Sequence, residues 1–405
     1  MFPKSPGPAC GVAFTRAVVL AGGLLASVAG APARAAKPAP APAEPALRLE
    51  AVLDSVRTAH GVPGLAAAVV EHGHLVAIGA AGVPYAGATR ALTVHDPMHI
   101  GSCTKSMAAL AIARLVEQGR IQWSTTLASA FPALMPEMLP PYRNVRLDQL
   151  LTHRGGIPAY ESVDDTTLRE LNSAALGANS VRSAFVERVI QEAPQHDPGA
   201  TYDYSNAGYT LAAAMVESVT GKTWEYWMDE MVFAPLGLAS AGMGWPADNR
   251  HADRPRGHRC TGNTGATAEP LDGTYRLGPV LGPGGDVHAS IADLARYASF
   301  QLDGCEGRAT RPALKPETWR RLHDDPDGAP NGYAMGWEVM PSDSGRPMLF
   351  HDGTAGTFYT RILIEPSRDL AVVIAANAGE PCGKAACEQG LTAVLARVER
   401  GRKTP

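Results

Sequence analysis

The strand-forming segments of this 405-residue chain lie near its two ends, and a long middle region separates them. Runs rich in β-branched and small apolar residues occur at Gly64–Val70, His74–Gly79, Leu349–His351, Tyr359–Glu365 and Leu370–Ala376. The middle region, residues 120–300, carries mostly helical patterns that Pro and Gly interrupt. A sheet must therefore be assembled from segments far apart in sequence, which predicts an α+β fold.

Three helices are expected around these strands. Residues 47–60 have apolar side chains at helical spacing, and a final helix is predicted from about Ala385 to Arg400. A third helix begins at Ser102 and runs to about Gln118, where Gly119 ends it. No internal repeat is evident.

The N-terminus has the layout of an export signal. Lys4 and Arg16 precede an apolar run over residues 17–29, and small residues ending in Ala33-Arg34-Ala35 follow. This arrangement predicts a secretory signal peptide over residues 1–35, with an uncleaved anchor as the alternative. The mature protein is accordingly expected in the periplasm or outside the cell.

Composition narrows the possible partners. Residues 36–46 form a Pro/Ala-rich linker that is expected to be extended, and residues 47–400 are expected to hold the folded domain. The formal charge is −4, and losing residues 1–35, which contain three basic residues and no acidic one, makes it −7. No basic block interrupts this acidity, which disfavours nucleic acid as a partner. After cleavage no integral membrane segment is expected, and the sequence indicates no particular oligomeric state.

Five cysteines follow the predicted signal peptide, and four of them could pair in an oxidising compartment. Cys103 is expected to be a small buried residue next to Ser102, the candidate nucleophile. The preferred prediction pairs Cys382 with Cys387 and Cys260 with Cys305. Four unpaired thiols are the alternative, because a domain of this size does not need disulfides for stability.

A serine and a lysine share one face at the start of the third predicted helix. Ser102 and Lys105 are three residues apart, so the amine can reach the hydroxyl. A serine hydroxyl is a weak nucleophile until a base takes its proton, and a helix start favours developing negative charge. Taken alone, Ser102 could be a helix cap and Lys105 a solvated side chain.

Tyr204-Ser205-Asn206 is the second candidate motif. Tyr204 would act as the base for water and as the acid for the leaving group, which requires the cationic form of Lys105 to lower the pKa of Tyr204. Asn206 would orient the substrate carbonyl side and hold Lys105. The plainer interpretation of Asn206 is a turn residue.

His351-Asp352-Gly353-Thr354, the third motif, ends a predicted strand that is expected at the sheet edge beside the site. Gly353 would let a substrate backbone approach closely, and the N–H of Thr354 would act with that of Ser102 as an oxyanion donor. His351 would supply a cation whose charge depends on pH. Asp352-Gly353 alone would indicate only a turn.

The three motifs together resemble those of the penicillin-binding, serine β-lactamase-like superfamily, which includes class C β-lactamases, D,D-peptidases and related esterases. Ser102 to Lys105 matches S-x-x-K, Tyr204 to Asn206 matches Y-x-N, and His351 to Gly353 matches the third motif. Further similar segments are Leu150–Gly156, Gly284-Gly285, Ile291–Arg296 and Tyr333–Trp337. The resemblance implies a mainly antiparallel sheet flanked by helices, an inserted all-helical lobe, and an active site between the two lobes.

The resemblance also implies acyl transfer, in which Ser102 attacks an ester or amide carbonyl and Tyr204 with Lys105 activates the water that releases the acyl group. Lactamases of this superfamily commonly carry Lys-Thr-Gly where this chain has His351-Asp352-Gly353. We therefore expect carboxylester hydrolysis first, D,D-carboxypeptidase or D-aminopeptidase activity second, and β-lactam hydrolysis third. The non-enzymatic alternative is a penicillin-recognising binding or receptor protein with slow or no turnover.

Other chemistries have weak support. The chain has no G-x-S-x-G pentapeptide, and Leu75 and Val76 follow His72-Gly73-His74 where a metal-binding cluster would need an acidic residue and a histidine. The grouping of His251, His258 and Cys260 lacks a fourth ligand. No metal or cofactor is expected, and the partner is a small-molecule ester, peptide or β-lactam substrate.

Overall fold

The computed structural model describes residues 47–161, 163, 165–173, 181–262, 265–273, 276–329, 331–342 and 344–403. The predicted signal peptide and linker lie outside the described residues. Within the described ranges, no helix is both long enough and apolar enough to cross a membrane.

The described chain alternates between strands and helices. The strands are β1 Leu47–Arg48, β2 Gly64–Glu71, β3 His74–Gly82, β4 Pro97–His99, β5 Gly242–Met243, β6 His258–Cys260, β7 Ala266–Ala268, β8 Val287–Ser290, β9 Gly332–Tyr333, β10 Glu338–Met340, β11 Met348–Thr354, β12 Tyr359–Glu365 and β13 Leu370–Ala376. The helices are α1 Glu50–Ala59, α2 Thr104–Glu117, α3 Leu127–Ala130, α4 Leu147–Leu151, α5 Asp165–Ser173, α6 Val181–Val189, α7 Asn206–Thr220, α8 Trp224–Met228, α9 Ala234–Leu236, α10 Gly278–Gly285, α11 Ile291–Cys305, α12 Pro316–His323 and α13 Cys382–Lys403.

The large sheet joins the two ends of the domain in the order β1-β3-β2-β13-β12-β11-β10-β9. Every neighbouring pair is antiparallel except β1 with β3. Side chains alternate across the sheet, so Ala66, Ala68 and Val70 of β2 join one hydrophobic core while Leu65 and Ala67 join another. Helices therefore cover both faces, α11 on the first and α1 with α13 on the second.

The helical lobe is built around α7. This helix is buried over most of its length and packs against α4, α6 and α10. The buried helix α2 contacts both α10 and α7, so it lies where the lobe meets the sheet-bearing part of the chain. These elements confirm the expected α+β fold with a mainly antiparallel sheet flanked by helices.

The three predicted closing strands are present, but the expectation that the third motif lies on an edge strand is wrong. β11 has β12 on one side and β10 on the other. β10 is short, however, and pairs only with Met348–Phe350. The stretch from His351 to Thr354 therefore has no strand beside it on the β10 side. The Gly101–Cys103 turn packs on the sheet face over β11 and β12.

The preferred disulfide pairing is also wrong. Cys260 and Cys382 form the disulfide, with their Cα atoms 5.9 Å apart, because β6 lies against the start of α13. Cys305 and Cys387 are free thiols. Cys382 and Cys387 are five residues apart on one helix, which turns their side chains about 140° away from each other.

Candidate active site

Ser102 lies in a tight 3-10 turn, Gly101–Cys103, that leads directly into α2. Gly101 has a φ of +51°, and a Cβ atom at this residue would lie 2.3 Å from the backbone nitrogen of Thr354. Only glycine accommodates both the left-handed backbone and this close contact. The turn is thereby fixed against β11, and Ser102 is presented at the start of the helix.

Lys105 is fully buried one turn further along. Its Nζ donates hydrogen bonds to Ser102 Oγ at 3.1 Å, to Asn206 Oδ1 at 2.6 Å and to the carbonyl oxygen of Gly284 at 2.7 Å. Burial lowers the pKa of Lys105 from 10.5 to about 7. Near neutral pH the amine is therefore present in both its neutral and its charged form, as a proton-transfer group requires.

Tyr204 lies on the other side of the serine. Its hydroxyl donates to Ser102 Oγ at 2.9 Å, and its ring is 4.7 Å from Lys105 Nζ. The expectation that its pKa is lowered is wrong, because desolvation raises the pKa of Tyr204 above its usual 10. In the free protein Lys105 is therefore the better proton acceptor, and Tyr204 is a neutral donor to the serine.

Asn206 begins α7, and the Ser205 side chain caps that helix by accepting from the N–H of Gly208. While Asn206 Oδ1 accepts from Lys105, its Nδ2 donates to the carbonyl oxygen of Tyr160 at 3.1 Å. These two hydrogen bonds, one to the amide oxygen and one from the amide nitrogen, fix the orientation of the Asn206 side chain. This side chain connects the lysine to the loop that carries Tyr160.

Gly353 and Thr354 lie against the nucleophile turn. A Cβ at Gly353 would be 1.9 Å from the carbonyl oxygen of Ile100 and 2.9 Å from the nitrogen of Cys103. The chain's own turn, rather than a substrate backbone, therefore requires a glycine here. Thr354 is exposed and borders the same cavity as Ser102.

His351 is buried behind this surface. Its Nε2 is 3.1 Å from the hydroxyl of Tyr333, and its carbonyl oxygen accepts from the thiol of Cys103 at 3.2 Å. Burial lowers the pKa of His351 to about 4. The expected cation is therefore absent near neutral pH, and His351 is not among the described residues that line the cavity beside Ser102.

The cavity beside Ser102 has a volume of about 310 Å³. Its described lining consists of Ser102, Tyr160, Glu161, Val163, Leu168, Asn206, Leu277, Leu281, Gly285, Thr354, Ala355 and Gly356. A serine with a neighbouring amine, a phenolic hydroxyl and an adjoining cavity has the parts needed for attack on a carbonyl carbon. Among the described residues, no group of three or more His, Cys, Asp and Glu side chains is arranged to hold a metal ion.

Some contributors were not predicted from the sequence as site residues. Gly284 acts through its backbone carbonyl, which has no side-chain signal. His153 Nδ1 accepts from the N–H of Ser205 at 3.0 Å, and its ring packs 4.3 Å from that of Tyr204. Gly284, His153 and Tyr333 all lie in segments already noted as similar to the superfamily, and those segments were the available signal.

Comparison with known proteins decides the family. The profile of the beta-lactamase family matches residues 49–395. The chain belongs to the beta-lactamase family. Members of this family are serine hydrolases, and the fold described above is the β-lactamase/transpeptidase-like fold.

Two curated relatives illustrate the range of this beta-lactamase family. Penicillin-binding protein 4 of Amycolatopsis lactamdurans is 27% identical over 333 residues, which cover 80% of this chain and 84% of that protein. Protein flp of Staphylococcus aureus (strain N315) is 23% identical over 278 residues, which cover 69% of this chain. The match covers only 52% of flp, so the chain spans about half the length of that relative.

Two solved structures share the fold. The D-amino acid amidase from Ochrobactrum anthropi SV3, complexed with L-phenylalanine amide, superposes with a TM-score of 0.67 at 21% identity, over 87% of this chain and 99% of that chain. The octameric penicillin-binding protein homologue from Pyrococcus abyssi gives a TM-score of 0.66 at 20% identity, over 86% of this chain and 77% of that chain.

Proposed function

We propose that this protein is an exported serine hydrolase that forms an acyl-enzyme on Ser102, with carboxylic esters as its first substrate class. The observation that carries the proposal is the Ser102 hydroxyl held 3.1 Å from Lys105 Nζ and 2.9 Å from the Tyr204 hydroxyl. The pKa of about 7 for Lys105 makes a neutral amine available to take the serine proton.

The reaction has two steps. Ser102 Oγ bonds to the carbonyl carbon while its proton passes to Lys105, and the N–H groups of Ser102 and Thr354 stabilise the oxyanion. The bond to the leaving group then breaks, and the leaving atom receives that proton by way of Tyr204. Water, deprotonated by the same pair, attacks the acyl carbon, and Ser102 leaves with its proton restored.

Amides of amino acids form the second candidate class. The D-amino acid amidase of Ochrobactrum anthropi SV3 shares the fold over 87% of this chain, which makes amide substrates plausible chemistry for the same site. β-Lactams rank third, since the uncharged His351 offers no positive charge to a substrate carboxylate. A binding or receptor protein with slow turnover is the non-enzymatic alternative.

Turnover of a short-chain p-nitrophenyl ester tests the proposal, with nitrocefin in parallel and Ser102→Ala as the control. We expect ester hydrolysis that Ser102→Ala lowers about 10⁴-fold or more, and little nitrocefin hydrolysis. Fast nitrocefin turnover would place β-lactams first. Stoichiometric labelling by a fluorophosphonate without turnover of either substrate would favour the binding protein.

Export is proposed on two grounds. The first 35 residues have the pattern of a signal peptide, and the Cys260–Cys382 disulfide suits an oxidising compartment. N-terminal sequencing of the protein recovered outside the cytoplasm is expected to begin near Ala36. A sequence beginning at Met1 would contradict cleavage.

A further inference from the structure

Glu161 is the one charged side chain among the described residues that line the catalytic cavity. The described walls next to it are largely apolar, with Val163, Leu168 and Leu277 among them. Burial lowers the pKa of Lys105, and the Glu161 carboxylate opposes that shift, so its field reaches the catalytic amine. The cavity therefore offers a negative group and apolar surface to whatever enters it.

The position of Glu161 follows from an unusual backbone conformation at the residue before it. Tyr160 has a φ of +51°, in the left-handed region that bulky residues rarely adopt. Three contacts hold it: its carbonyl accepts from Asn206 at 3.1 Å, its hydroxyl donates to Glu192 at 2.6 Å, and its ring packs edge-on, 5.1 Å from Phe185. Such conformations persist where the surroundings over-determine them, and they cluster at functional sites.

Among the described residues that line the cavity, none is a cation that could bind a substrate carboxylate. The Glu161 carboxylate, in contrast, could bind a positively charged group of a substrate. Resting on the serine hydrolase function proposed above, we propose that Glu161 binds a free ammonium group on the acyl part of the substrate. The preferred substrates are then esters or amides of amino acids with an unblocked amino group and an apolar side chain.

The test compares phenylalanine methyl ester with its N-acetyl derivative, in both enantiomers, by kcat/KM near neutral pH. The ratio of free-amine to acetylated substrate is expected to exceed about tenfold for the better enantiomer and to fall about tenfold in Glu161→Gln. Glu187→Gln, which removes one exposed negative charge from α6, is the matched control and should keep the wild-type ratio.

The outcomes separate this inference from the proposed function. A ratio in Glu161→Gln that stays within about threefold of wild type overturns the ammonium site, and a larger fall supports it. If a neutral p-nitrophenyl ester is hydrolysed through Ser102 and neither phenylalanine ester is, the ammonium site is wrong and the hydrolase function stands. If no ester is hydrolysed, the proposed function itself fails.

A buried histidine and aspartate carry a second, independent inference about the nucleophile turn. His99 Nδ1 accepts from the N–H of Gly101 at 3.1 Å, so the proton lies on Nε2, which donates to Asp286 Oδ1 at 2.9 Å. His99 is fully buried and stacks on Trp245, with ring centroids 4.7 Å apart. The pair thus joins the residue before Ser102 to the segment that follows Gly285.

Two residues before Asp286, the carbonyl oxygen of Gly284 accepts a hydrogen bond from Lys105 Nζ at 2.7 Å. We infer that His99 and Asp286 are positioning residues, which keep the serine and the lysine's carbonyl acceptor at a constant separation. Neither side chain is among the described residues that line the cavity, so their loss should lower kcat and leave KM nearly unchanged.

His99→Phe keeps the stacking and removes both hydrogen bonds, and we expect kcat to fall about tenfold with KM within about twofold. This variant leaves the Asp286 carboxylate buried without its hydrogen-bond partner. A double variant, His99→Phe with Asp286→Leu, therefore removes that carboxylate as well. A folded double variant that keeps the wild-type kcat overturns the inference. A fall in kcat that persists in the folded double variant supports it.

Discussion

Two pairs in this molecule bring a nucleophilic side chain to a nitrogen base, and they differ in what surrounds them. Ser102 Oγ lies 3.1 Å from Lys105 Nζ, and Cys305 Sγ lies 3.3 Å from His323 Nδ1. His323 Nε2 is in turn 2.8 Å from Gln301 Oε1, so this pair also has a third polar member. Cys305 borders a cavity of about 620 Å³, larger than the 310 Å³ beside Ser102. Proximity and space therefore do not distinguish the two.

The helices that carry the two nucleophiles do distinguish them. Ser102 lies in the turn that begins α2, whereas Cys305 is the last residue of α11. The start of a helix carries partial positive charge and its end partial negative charge. Negative charge that develops during attack is therefore stabilised at Ser102 and opposed at Cys305.

Burial also affects the two bases differently. It lowers the pKa of Lys105 to about 7 and that of His323 to about 3, and it raises the pKa of the Cys305 thiol to about 12. An imidazole with so low a pKa is a weak base, and the thiol stays protonated near neutral pH. Contact with a nitrogen base is therefore not enough to make a side chain nucleophilic. The base must be able to accept a proton near neutral pH, and nearby donors must stabilise the negative charge that develops.

The largest effect is expected from removing the amine of the first pair. Lys105→Met keeps an apolar stem without the base and should lower kcat about 10³-fold. Lys105→Arg should not rescue it, because a guanidinium stays protonated. Esterase kinetics check this, and Lys384→Met, which removes an exposed lysine of α13, is the matched control. If the kcat of Lys105→Met stays within tenfold of wild type, Lys105 is not the base, and the proposed difference between the Ser102–Lys105 and Cys305–His323 pairs is wrong.

A smaller change is expected from acidification. Protons bind Lys105 below pH about 7, so kcat/KM should decline below that pH and level off above it. Tyr204→Phe should lower the rate and leave the inflection near the same pH, because Tyr204 is neutral throughout this range. A pH–rate profile of both proteins measures this. An inflection that disappears in Tyr204→Phe would assign the base to the tyrosine instead.

The smallest effect is expected at the second pair. Cys305→Ala should change kcat by less than about twofold, because its protonated thiol has no role in proton transfer. The same ester assay, with thermal unfolding to verify folding, measures it. A loss greater than tenfold in a folded variant would mean that the two regions are functionally linked.

Sequence patterns predicted the parts of the molecule that depend on local periodicity and motif spacing. The alternation in Tyr359–Glu365 and the continuous apolar run in Leu370–Ala376 indicated strands, because both patterns are local properties of the sequence. The spacing of Ser102 and Lys105 indicated their contact because both lie on one helical face.

Properties that depend on tertiary surroundings were not predictable in the same way. The partner of Cys382 depends on where β6 lies, and the pKa of Tyr204 depends on how far folding removes it from water. The role of Gly353 depends on the turn that packs against it. Each expectation failed for the same reason, since a chain segment distant in sequence supplies the deciding contact.

The most direct test of the account is the site of covalent labelling by a fluorophosphonate, mapped by mass spectrometry of the intact protein and its peptides. We expect a single adduct on Ser102, absent in Ser102→Ala, formed more slowly in Lys105→Met, and none on Cys305. An adduct on another residue of the wild-type protein, or continued labelling of Ser102→Ala, would contradict it.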